Sequence, residues 1–300
     1  MINLPGIWVL VGGLWVANLY YWGFNQYIIQ RTLAAKSLRE SQKGIALAAF
    51  LKILIPFIVV LPGIACYVMV NDPSIMARLG DTAQLNIPTE ATADKAYPWL
   101  LQLLPSGLKG IAFAALAAAI VSSLASMLNS TSTIFIMDIY KTYINRAASD
   151  SKLVSVGRIT AAIALIIACI MAPLLGGIDQ AFQFIQEYTG IVSPGILGVF
   201  LLGLFWKQTT NKAAIRGAIL SVPIALVFKA FPEIPWMNQM GLTAVFTILI
   251  IMILSYIENK GRSDHKGIIF HKGLFKTGPA FNISAFVICI ILAVLYAVFW

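Results

Sequence analysis

The sequence carries little charge. Asp, Glu, Lys and Arg together make up 11% of its 300 residues, whereas an ordinary soluble domain has about 25%. Hydrophobic residues make up 59%, so a water-soluble fold is excluded. A helix that crosses a bilayer needs about 20 mostly apolar residues. We therefore expect an all-α integral membrane protein.

Cysteine and histidine are also scarce. The three cysteines lie inside apolar stretches, where a thiol behaves as a small hydrophobe. The two histidines, His265 and His271, lie in a basic loop without a cysteine or carboxylate at metal-ligand spacing, and we interpret them as solvated. The chain has no phosphate-binding glycine loop, nucleophile elbow or pair of catalytic carboxylates. Neither an enzyme nor an organic cofactor is expected.

Long apolar stretches recur along the whole chain, and charged segments separate them. About eight have the length of a spanning helix. The first lacks a basic n-region and is followed by further spans, so it is interpreted as a membrane helix rather than a signal peptide. The predicted spans are 5–27, 44–70, 107–136, 153–174, 179–206, 212–230, 240–257 and 279–299.

Basic residues are concentrated in alternate loops, and the net charge is +9. Because Lys and Arg are retained in cytoplasmic loops, these loops are predicted to be cytoplasmic, and a nucleic-acid partner is not expected. This orientation places Met1 outside with a span starting almost at once, from which we expect a truncated chain. The basic loops contain Arg31, Lys36, Arg39 and Lys43, then Lys141, Arg146, Lys152 and Arg158, then Lys207, Lys212 and Arg216, and finally Lys260, Arg262, Lys266, Lys272 and Lys276.

Polar side chains inside spans are costly in a bilayer, which makes each of them a functional candidate. In the first span, Asn18, Tyr21, Trp22 and Asn25 are spaced to share one helical face. Aromatic rings and amides suit stacking on, and hydrogen bonding to, a polyhydroxylated ring. The alternative is an interfacial aromatic belt.

The second and fifth predicted spans contain further candidates. Lys52 either donates hydrogen bonds to a substrate hydroxyl or extends its ammonium to the interface. Gln186 and Glu187 precede glycines and a proline at 190–195, where we expect the helix to be interrupted and to line a cavity. The alternative there is a plain proline kink, with Glu187 packed against another polar helix.

The third span carries a polar stripe, formed by Ser122, Ser126, Asn129 and Thr133 at helical spacing. Hydroxyls can serve as neutral oxygen ligands for a hard monovalent cation. No carboxylate lies nearby in the sequence, which disfavours a site for a divalent ion. The alternative is close packing of small residues, with the hydroxyls bonded to their own helix.

Three segments resemble the solute:sodium symporter family, and in particular its sugar-transporting members of the galactose/glucose type. They are NLYYWGFNQYIIQR at 18–31, AAAIVSSLASMLNS at 117–130 and FQFIQEYTG at 182–190. The resemblance implies sodium-coupled sugar symport by alternating access. It also implies the second half of a five-plus-five inverted-repeat (LeuT-type) core: five helices within 1–207, one interrupted near 190–195, followed by three peripheral helices within 208–300.

The resemblance also implies roles for individual residues. Asn18, Lys52 and Gln186 would hydrogen-bond the sugar. Tyr21 would form the cytoplasmic-side gate, and Phe182 would belong to the outer gate. Ala119 through its carbonyl, with Ser122 and Ser123 through their hydroxyls, would supply half of a sodium site. Phe182 and Ala119 are chosen on the resemblance alone.

The remaining ligands of both sites would come from helices of the first repeat, which this chain lacks. The expected partners are the sugar, sodium as coupling ion, the lipid bilayer and the amino-terminal half of the transporter, in a multi-pass protein of the cell inner (plasma) membrane. The alternatives are a symporter of the same fold for proline, a nucleobase or a carboxylate, a channel, a membrane-embedded enzyme, or a non-functional or assembly-dependent fragment.

Overall fold

The computed structural model of the chain describes residues 7–79, 87–176, 178, 181–260, 268–269, 271 and 273–299. All regular structure among these residues is helical, and seven of the helices are long and apolar enough to cross a membrane. The all-α integral membrane class is thus confirmed. The spans are α4 (Leu38–Asn71), α7 (Ser106–Ile134), α8 (Asp150–Leu175), α9 (Ala181–Phe205), α10 (Asn211–Lys229), α11 (Trp236–Asn259) and α12 (Pro279–Phe299).

The first predicted span, 5–27, is not a single helix, whereas the other seven predicted spans correspond to the seven described helices that are long and apolar enough to cross a membrane. The segment consists of α1 (Ile7–Val11), α2 (Gly13–Leu19), a π-helical stretch (Tyr20–Phe24) and α3 (Gln26–Leu33). Gly12 has φ −109° and ψ −96°, and Asn25 is extended with φ −82° and ψ 115°. Both residues leave the helical region of the Ramachandran plot, which interrupts the helical hydrogen bonding. Residues 5 and 6 of this predicted span, and His265, lie outside the described part of the chain.

Helix α4 is long and contains two prolines. Its 34 residues correspond to about 50 Å at 1.5 Å per residue, against about 30 Å of bilayer hydrocarbon. The Ser37 hydroxyl caps its start by accepting a hydrogen bond from the backbone N–H of Glu40 at 3.3 Å. Pro56 and Pro62 lie inside the helix. Near its other end, buried Cys66 packs against buried Trp99 of α6 (Ala96–Gln102).

Asp72 links α4 to the short helix α5 (Pro73–Leu79). Its carboxylate accepts hydrogen bonds from the backbone N–H of Ser74 at 2.9 Å and from the Ser74 hydroxyl at 2.7 Å. These bonds hold the pKa of the Asp72 carboxyl below its ordinary value. The Asp72 side chain thus caps the first turn of α5.

Helix α7 packs closely against α8. It starts after Pro105 and continues as a π-helical stretch, Phe135–Ile144. The buried Ser132 hydroxyl donates a hydrogen bond to the Gly157 carbonyl of α8 at 2.9 Å. A Cβ atom on Gly157 would lie 2.5 Å from Ile136 Cδ1 and 2.9 Å from Ser132 Oγ, so a larger residue there would displace these side chains.

Helix α9 is continuous from Ala181 to Phe205, and the interruption predicted near 190–195 is not found. Pro194 lies inside the helix, where its missing N–H removes one hydrogen bond, to the Gly190 carbonyl. The residues around it are buried, and a Cβ on Gly195 would lie 2.1 Å from Ser221 Oγ of α10. Packing on both sides of the proline keeps the segment helical, as the kink alternative assumed.

Helices α10 and α11 pack through a ridge of small residues. On α10 the buried positions recur every four residues, which places small side chains in one line and lets the helix backbones approach closely. The ridge consists of Ala213, Gly217, Ser221 and Ala225. The buried residues of α11 are Met240, Thr243, Ala244, Thr247, Ile251 and Ser255.

Polar groups join the same two helices at one end. The Thr210 hydroxyl caps α10 by accepting from the Ala213 backbone N–H at 3.0 Å and donates a hydrogen bond to Glu258 of α11. Arg216 Nη1 lies 2.5 Å from Glu258 Oε1. The start of α10 is therefore attached to the end of α11.

The described helices belong to two compact units. One comprises Met1–Ile29 with Phe182–Lys276, and the other comprises Gln30–Ala181 with Thr277–Trp300. The predicted division into an inverted repeat (1–207) and three peripheral helices (208–300) is based on repeat symmetry, not on compactness. It stays a prediction. In both units large apolar side chains such as Ile58, Phe113 and Phe246 are exposed, which is typical of helices surrounded by lipid.

Candidate functional site

The segment around Asn18 and Tyr21 forms a polar and aromatic cluster. Asn18 is half-buried, and its Nδ2 donates to the Leu14 carbonyl at 2.9 Å. The Tyr21 hydroxyl accepts a hydrogen bond from the Tyr27 hydroxyl at 2.6 Å. The Tyr21 ring meets Trp22 edge to face, with centroids 5.4 Å apart. Tyr21 thus has a defined orientation with its side chain partly exposed.

The π-helical stretch changes the predicted face of this segment. Residues Tyr20–Phe24 follow i to i+5 hydrogen bonding rather than the α-helical pattern. The shared face of Asn18, Tyr21, Trp22 and Asn25 assumed α-helical spacing throughout, and that expectation is wrong. Short π-helical insertions occur frequently at functional sites, so the correction does not remove the segment as a candidate.

Helix α9 places two predicted residues one turn apart. Phe182 is 76% exposed, and Gln186, four residues later, is exposed as well. Residues at this spacing lie on the same face of a helix. Both side chains are therefore accessible to a ligand or to a further helix.

Glu187 takes part in an ion pair that sequence reasoning did not find. Its Oε1 lies 3.2 Å from Lys229 Nζ, at the end of α10. The same ammonium lies 3.7 Å above the centroid of the Tyr188 ring. The alternative in which Glu187 packs against another polar helix therefore describes its position.

A small, open pocket lies beside this ion pair. Glu187, Lys229, Trp236 and Gln239 are among its lining residues. The amide Nε2 of Gln239 donates to the carbonyls of Phe231 and Ile234, at 3.0 and 2.9 Å. Part of the polar lining is thus already engaged in connecting the end of α10 to the start of α11.

Lys52 lies on α4 with an exposed side chain, four residues before Pro56. It belongs to the unit that contains Gln30–Ala181, whereas Asn18 and Gln186 belong to the other compact unit. That the three side chains converge on one sugar stays a prediction.

The predicted sodium ligands share one stretch of α7. Ala119, Ser122 and Ser123 are all exposed. Further along the polar stripe the hydroxyls bond to their own helix: Ser126 Oγ donates to the Ser122 carbonyl at 3.0 Å, and Thr133 Oγ1 to the Asn129 carbonyl at 2.8 Å. The alternative of hydroxyls bonded to their own helix thus describes Ser126 and Thr133. Cation binding stays a prediction for Ser122 and Ser123.

The second half of the stripe is covered by α3, which the sequence did not predict. Arg31 donates a hydrogen bond to the Ser126 hydroxyl. Gln30 Nε2 donates to the Ser126 carbonyl at 3.5 Å, and Asn129 Nδ2 donates to Gln30 Oε1 at 3.1 Å. Arg31 was noted only as a basic loop residue, because contacts between residues 95 positions apart leave no local pattern.

His271 is exposed, and its Nδ1 lies 3.2 Å from the Ile269 carbonyl oxygen. Among the residues that the structure describes, no three His, Cys, Asp or Glu side chains are grouped closely enough to hold a metal ion.

These features define a polytopic helical membrane protein with polar side chains on several of its apolar helices. The chain belongs to the sodium:solute symporter family, whose profile matches residues 3–221. The resemblance noted in the sequence is thereby confirmed.

Known relatives extend over different shares of the chain. It is 64% identical over 300 residues to the sodium/glucose cotransporter of Vibrio parahaemolyticus, covering 100% of this chain and 55% of that protein. It is 38% identical over 228 residues to sodium/myo-inositol cotransporter 2 of Mus musculus, covering 74% of this chain and 33% of that protein. The chain thus spans about half or less of the length of these relatives.

A solved structure has a similar fold. It is a Na⁺-coupled sialic acid symporter in a substrate-bound outward-open state, and it matches with a TM-score of 0.70 and 22% identity over 86% of this chain and 51% of that chain. At this identity the likeness concerns the fold alone.

Proposed function

We propose that the chain forms part of a sodium-coupled sugar symporter of the galactose/glucose type, which works by alternating access. The observation that carries the proposal is the 64% identity, over the full length of the chain, to a protein named a sodium/glucose cotransporter. The family membership supports sodium as the coupling ion. Because sodium gradients are maintained across the plasma membrane, that membrane is the proposed location.

The proposed sugar ligands are Asn18, Lys52 and Gln186. Two amides and an ammonium donate hydrogen bonds to hydroxyl groups, and none of them needs a charged substrate. Tyr21 is the proposed cytoplasmic-side gate, where its ring can stack on the sugar. Phe182 is proposed for the outer gate, and its exposed side chain supports that role.

The proposed sodium ligands are the Ala119 carbonyl and the Ser122 and Ser123 hydroxyls. Neutral oxygens suit a hard monovalent cation. Three oxygens do not complete the coordination of a sodium ion. We propose that the remaining ligands come from the part of the relatives that lies outside the match to this chain. Sodium bound here would favour the outward-open state and thereby raise sugar affinity, with a reciprocal coupling of about 1–3 kcal/mol.

Uptake into proteoliposomes tests this function. The chain is reconstituted alone, and also after co-expression with the part of the Vibrio parahaemolyticus cotransporter that the match does not cover. Labelled galactose uptake is measured with an inward sodium gradient and with an equal potassium gradient. Sodium-dependent uptake that unlabelled glucose inhibits is the expected result. Absence of sodium-dependent hexose uptake in both preparations, or inhibition by proline but not by glucose, would contradict the proposal.

Replacing Lys52 tests the sugar site itself. Lys52→Met keeps the length of the side chain and removes the ammonium, so a hydrogen bond from a charged donor is lost. Such bonds contribute about 1.5–3 kcal/mol, which corresponds to at least a tenfold rise in the KM for galactose. Lys109→Met, at an exposed lysine near the start of α7, is the matched control and should leave KM unchanged. Equal KM values for the two variants would remove Lys52 from the site.

A second candidate substrate is myo-inositol, because several relatives are named sodium/myo-inositol cotransporters. This polyol offers the same ring of hydroxyl groups to amides and an ammonium. Inhibition of galactose uptake by myo-inositol at lower concentration than by glucose would favour it.

A further inference from the structure

The polar stripe of α7 has two halves with different surroundings. Ser122 and Ser123 are exposed, whereas Ser126 and Asn129 are contacted by the end of α3. Ser122 and Ser126 are one turn apart, which is about 6 Å along the helix. The covered half therefore starts one turn away from the proposed sodium ligands.

Hydrogen bonds connect the two halves in a defined order. The Arg31 guanidinium donates to Ser126 Oγ, and that hydroxyl donates to the Ser122 carbonyl at 3.0 Å. Gln30 spans the same region, since its amide contacts the Ser126 carbonyl and Asn129 Nδ2. Arg31 is exposed, and its guanidinium contacts the stripe at Ser126.

A guanidinium near the stripe opposes the passage of a cation, because like charges repel and the repulsion is stronger where less water screens them. Movement from Ser122 toward Asn129 is movement toward the C-terminal end of α7, and Lys141 and Arg146 follow that end on the predicted cytoplasmic side. A sodium ion that left along the stripe in this direction would meet Arg31 first.

We propose that Arg31 is a positioning residue that closes the cytoplasmic side of the sodium site, so that sodium is released inward only when the end of α3 separates from α7. The proposal rests on the proposed function, because it assumes that Ser122 and Ser123 bind the coupling ion. In this proposal, the contact between Arg31 and Ser126 prevents sodium from crossing the membrane without sugar.

Sodium leak in proteoliposomes is the direct test. Influx of labelled sodium is measured without sugar, and the ratio of sodium to galactose is measured with sugar, for the preparation that transports. Arg31→Gln should raise the sugar-independent sodium influx about tenfold, the effect of losing about 1.4 kcal/mol of the barrier, and should raise the sodium-to-galactose ratio. Arg31→Lys keeps the charge and should restore low leak. Arg39→Gln removes one charge from the neighbouring exposed first turn of α4 and should behave as the unsubstituted protein.

Other outcomes decide against the proposal. A purely structural role would lower the amount of active Arg31→Gln protein without changing the ratio of sodium to galactose, and this result would overturn the assignment. If Arg31→Gln does not fold, Ser126→Ala removes the hydroxyl that Arg31 contacts and should produce a smaller leak. An unchanged ratio of sodium to galactose in Ser126→Ala would then also overturn the assignment.

A second measurement does not require transport and separates this proposal from the proposed function. Ser122→Cys is combined with Arg31 or with Arg31→Gln, and a cationic methanethiosulfonate reagent is added from the side of the basic loops. The chain without Ser122→Cys gives the background from Cys66, Cys169 and Cys289. Faster labelling with Arg31→Gln supports closure by Arg31 even if no uptake is found. Equal labelling rates overturn it even if sodium-driven uptake is present.

Discussion

Glu187 and Lys229 connect the first turns of α9 to the last turn of α10 through an ion pair whose side chains are each 32% exposed. Partial exposure limits the contribution of such a pair, because water screens both charges. Lys229 also lies above the Tyr188 ring, and a cation over an aromatic face adds to the interaction. Lys229 should therefore matter more for stability than Glu187.

Thermal unfolding of the detergent-purified protein tests this order. Glu187→Gln should lower the free energy of unfolding by about 0.5–1 kcal/mol, and Lys229→Met should lower it by a further 0.5–1 kcal/mol or so, because the contact with Tyr188 is lost as well. The double variant should equal Lys229→Met, since both changes remove the same pair. Lys43→Met, which breaks the exposed Lys43–Glu40 pair, should give no measurable change. Strict additivity of Glu187→Gln and Lys229→Met would contradict the pairing.

Residue chemistry could be predicted from the sequence more readily than residue contacts. The cost of polar groups in a bilayer singled out Asn18, Lys52 and Ser122 without a structure. Neither Arg31 on Ser126 nor Lys229 on Glu187 could be predicted, because each pair joins helices that are distant in the chain. In the sequence, Arg31 is only one of the basic loop residues that indicate membrane orientation.

At the scale of single elements, the close approach of α10 and α11 depends on Gly217. A Cβ at this position would lie 2.1 Å from Ile251 Cγ1, and Ile251 is fully buried. Even one methyl group at position 217 therefore requires the buried Ile251 side chain or the two helices to shift. Gly203 of α9 offers a matched control, because nothing lies within 4 Å of a Cβ there.

Alanine at these two glycines should have opposite effects. Gly217→Ala should lower the free energy of unfolding by about 1–3 kcal/mol through overpacking. Gly203→Ala should leave it unchanged or raise it by up to about 1 kcal/mol, since alanine favours a helix more than glycine does. Combining Gly217→Ala with Ile251→Ala should recover part of the loss because the methyl group then fits. Equal stability of Gly217→Ala and Gly203→Ala would show that the ridge is not in close contact.

The sequence predicted the helices well where apolar length decides and poorly where glycine and proline decide. The span at 279–299 and the helix Pro279–Phe299 agree at both ends. The first predicted span is divided into shorter helices because Gly12 and Asn25 leave helical geometry. Helix α9 continues past Pro194, which is surrounded by buried residues. Whether a glycine or proline ends a helix depends on its neighbours in space, which periodicity does not contain.

For the whole molecule, the order of the spans and the positions of the basic loops predict one orientation in the membrane. Seven described helices are long and apolar enough to cross a membrane, and we expect each of them to lead the chain to the opposite side. The residues before α4, those between α7 and α8, and those between α9 and α10 should consequently lie together on the cytoplasmic side. All three segments contain or adjoin basic residues, in agreement with the positive-inside rule.

Single cysteines should report this orientation. Ala34→Cys and Ala147→Cys should react with a membrane-impermeant thiol reagent from the cytoplasmic side only, and Pro232→Cys should react from the other side only. All three positions are exposed, so reactivity reports sidedness rather than burial. Labelling of Ala34→Cys and Ala147→Cys from opposite sides would mean that either α4 or α7 does not cross the bilayer.

The exposed apolar faces of the spans decide which mutations the protein tolerates. Positions such as Ile58 and Phe113 are exposed on apolar spans, so exchange among isoleucine, leucine, valine and phenylalanine should alter little there, while a single acidic substitution should be severe in a bilayer. At the buried small residues of α10, size matters more than polarity: Ser221 is polar, whereas a larger side chain would not fit. In this chain, size governs substitution where helices meet and polarity governs it everywhere else along the spans.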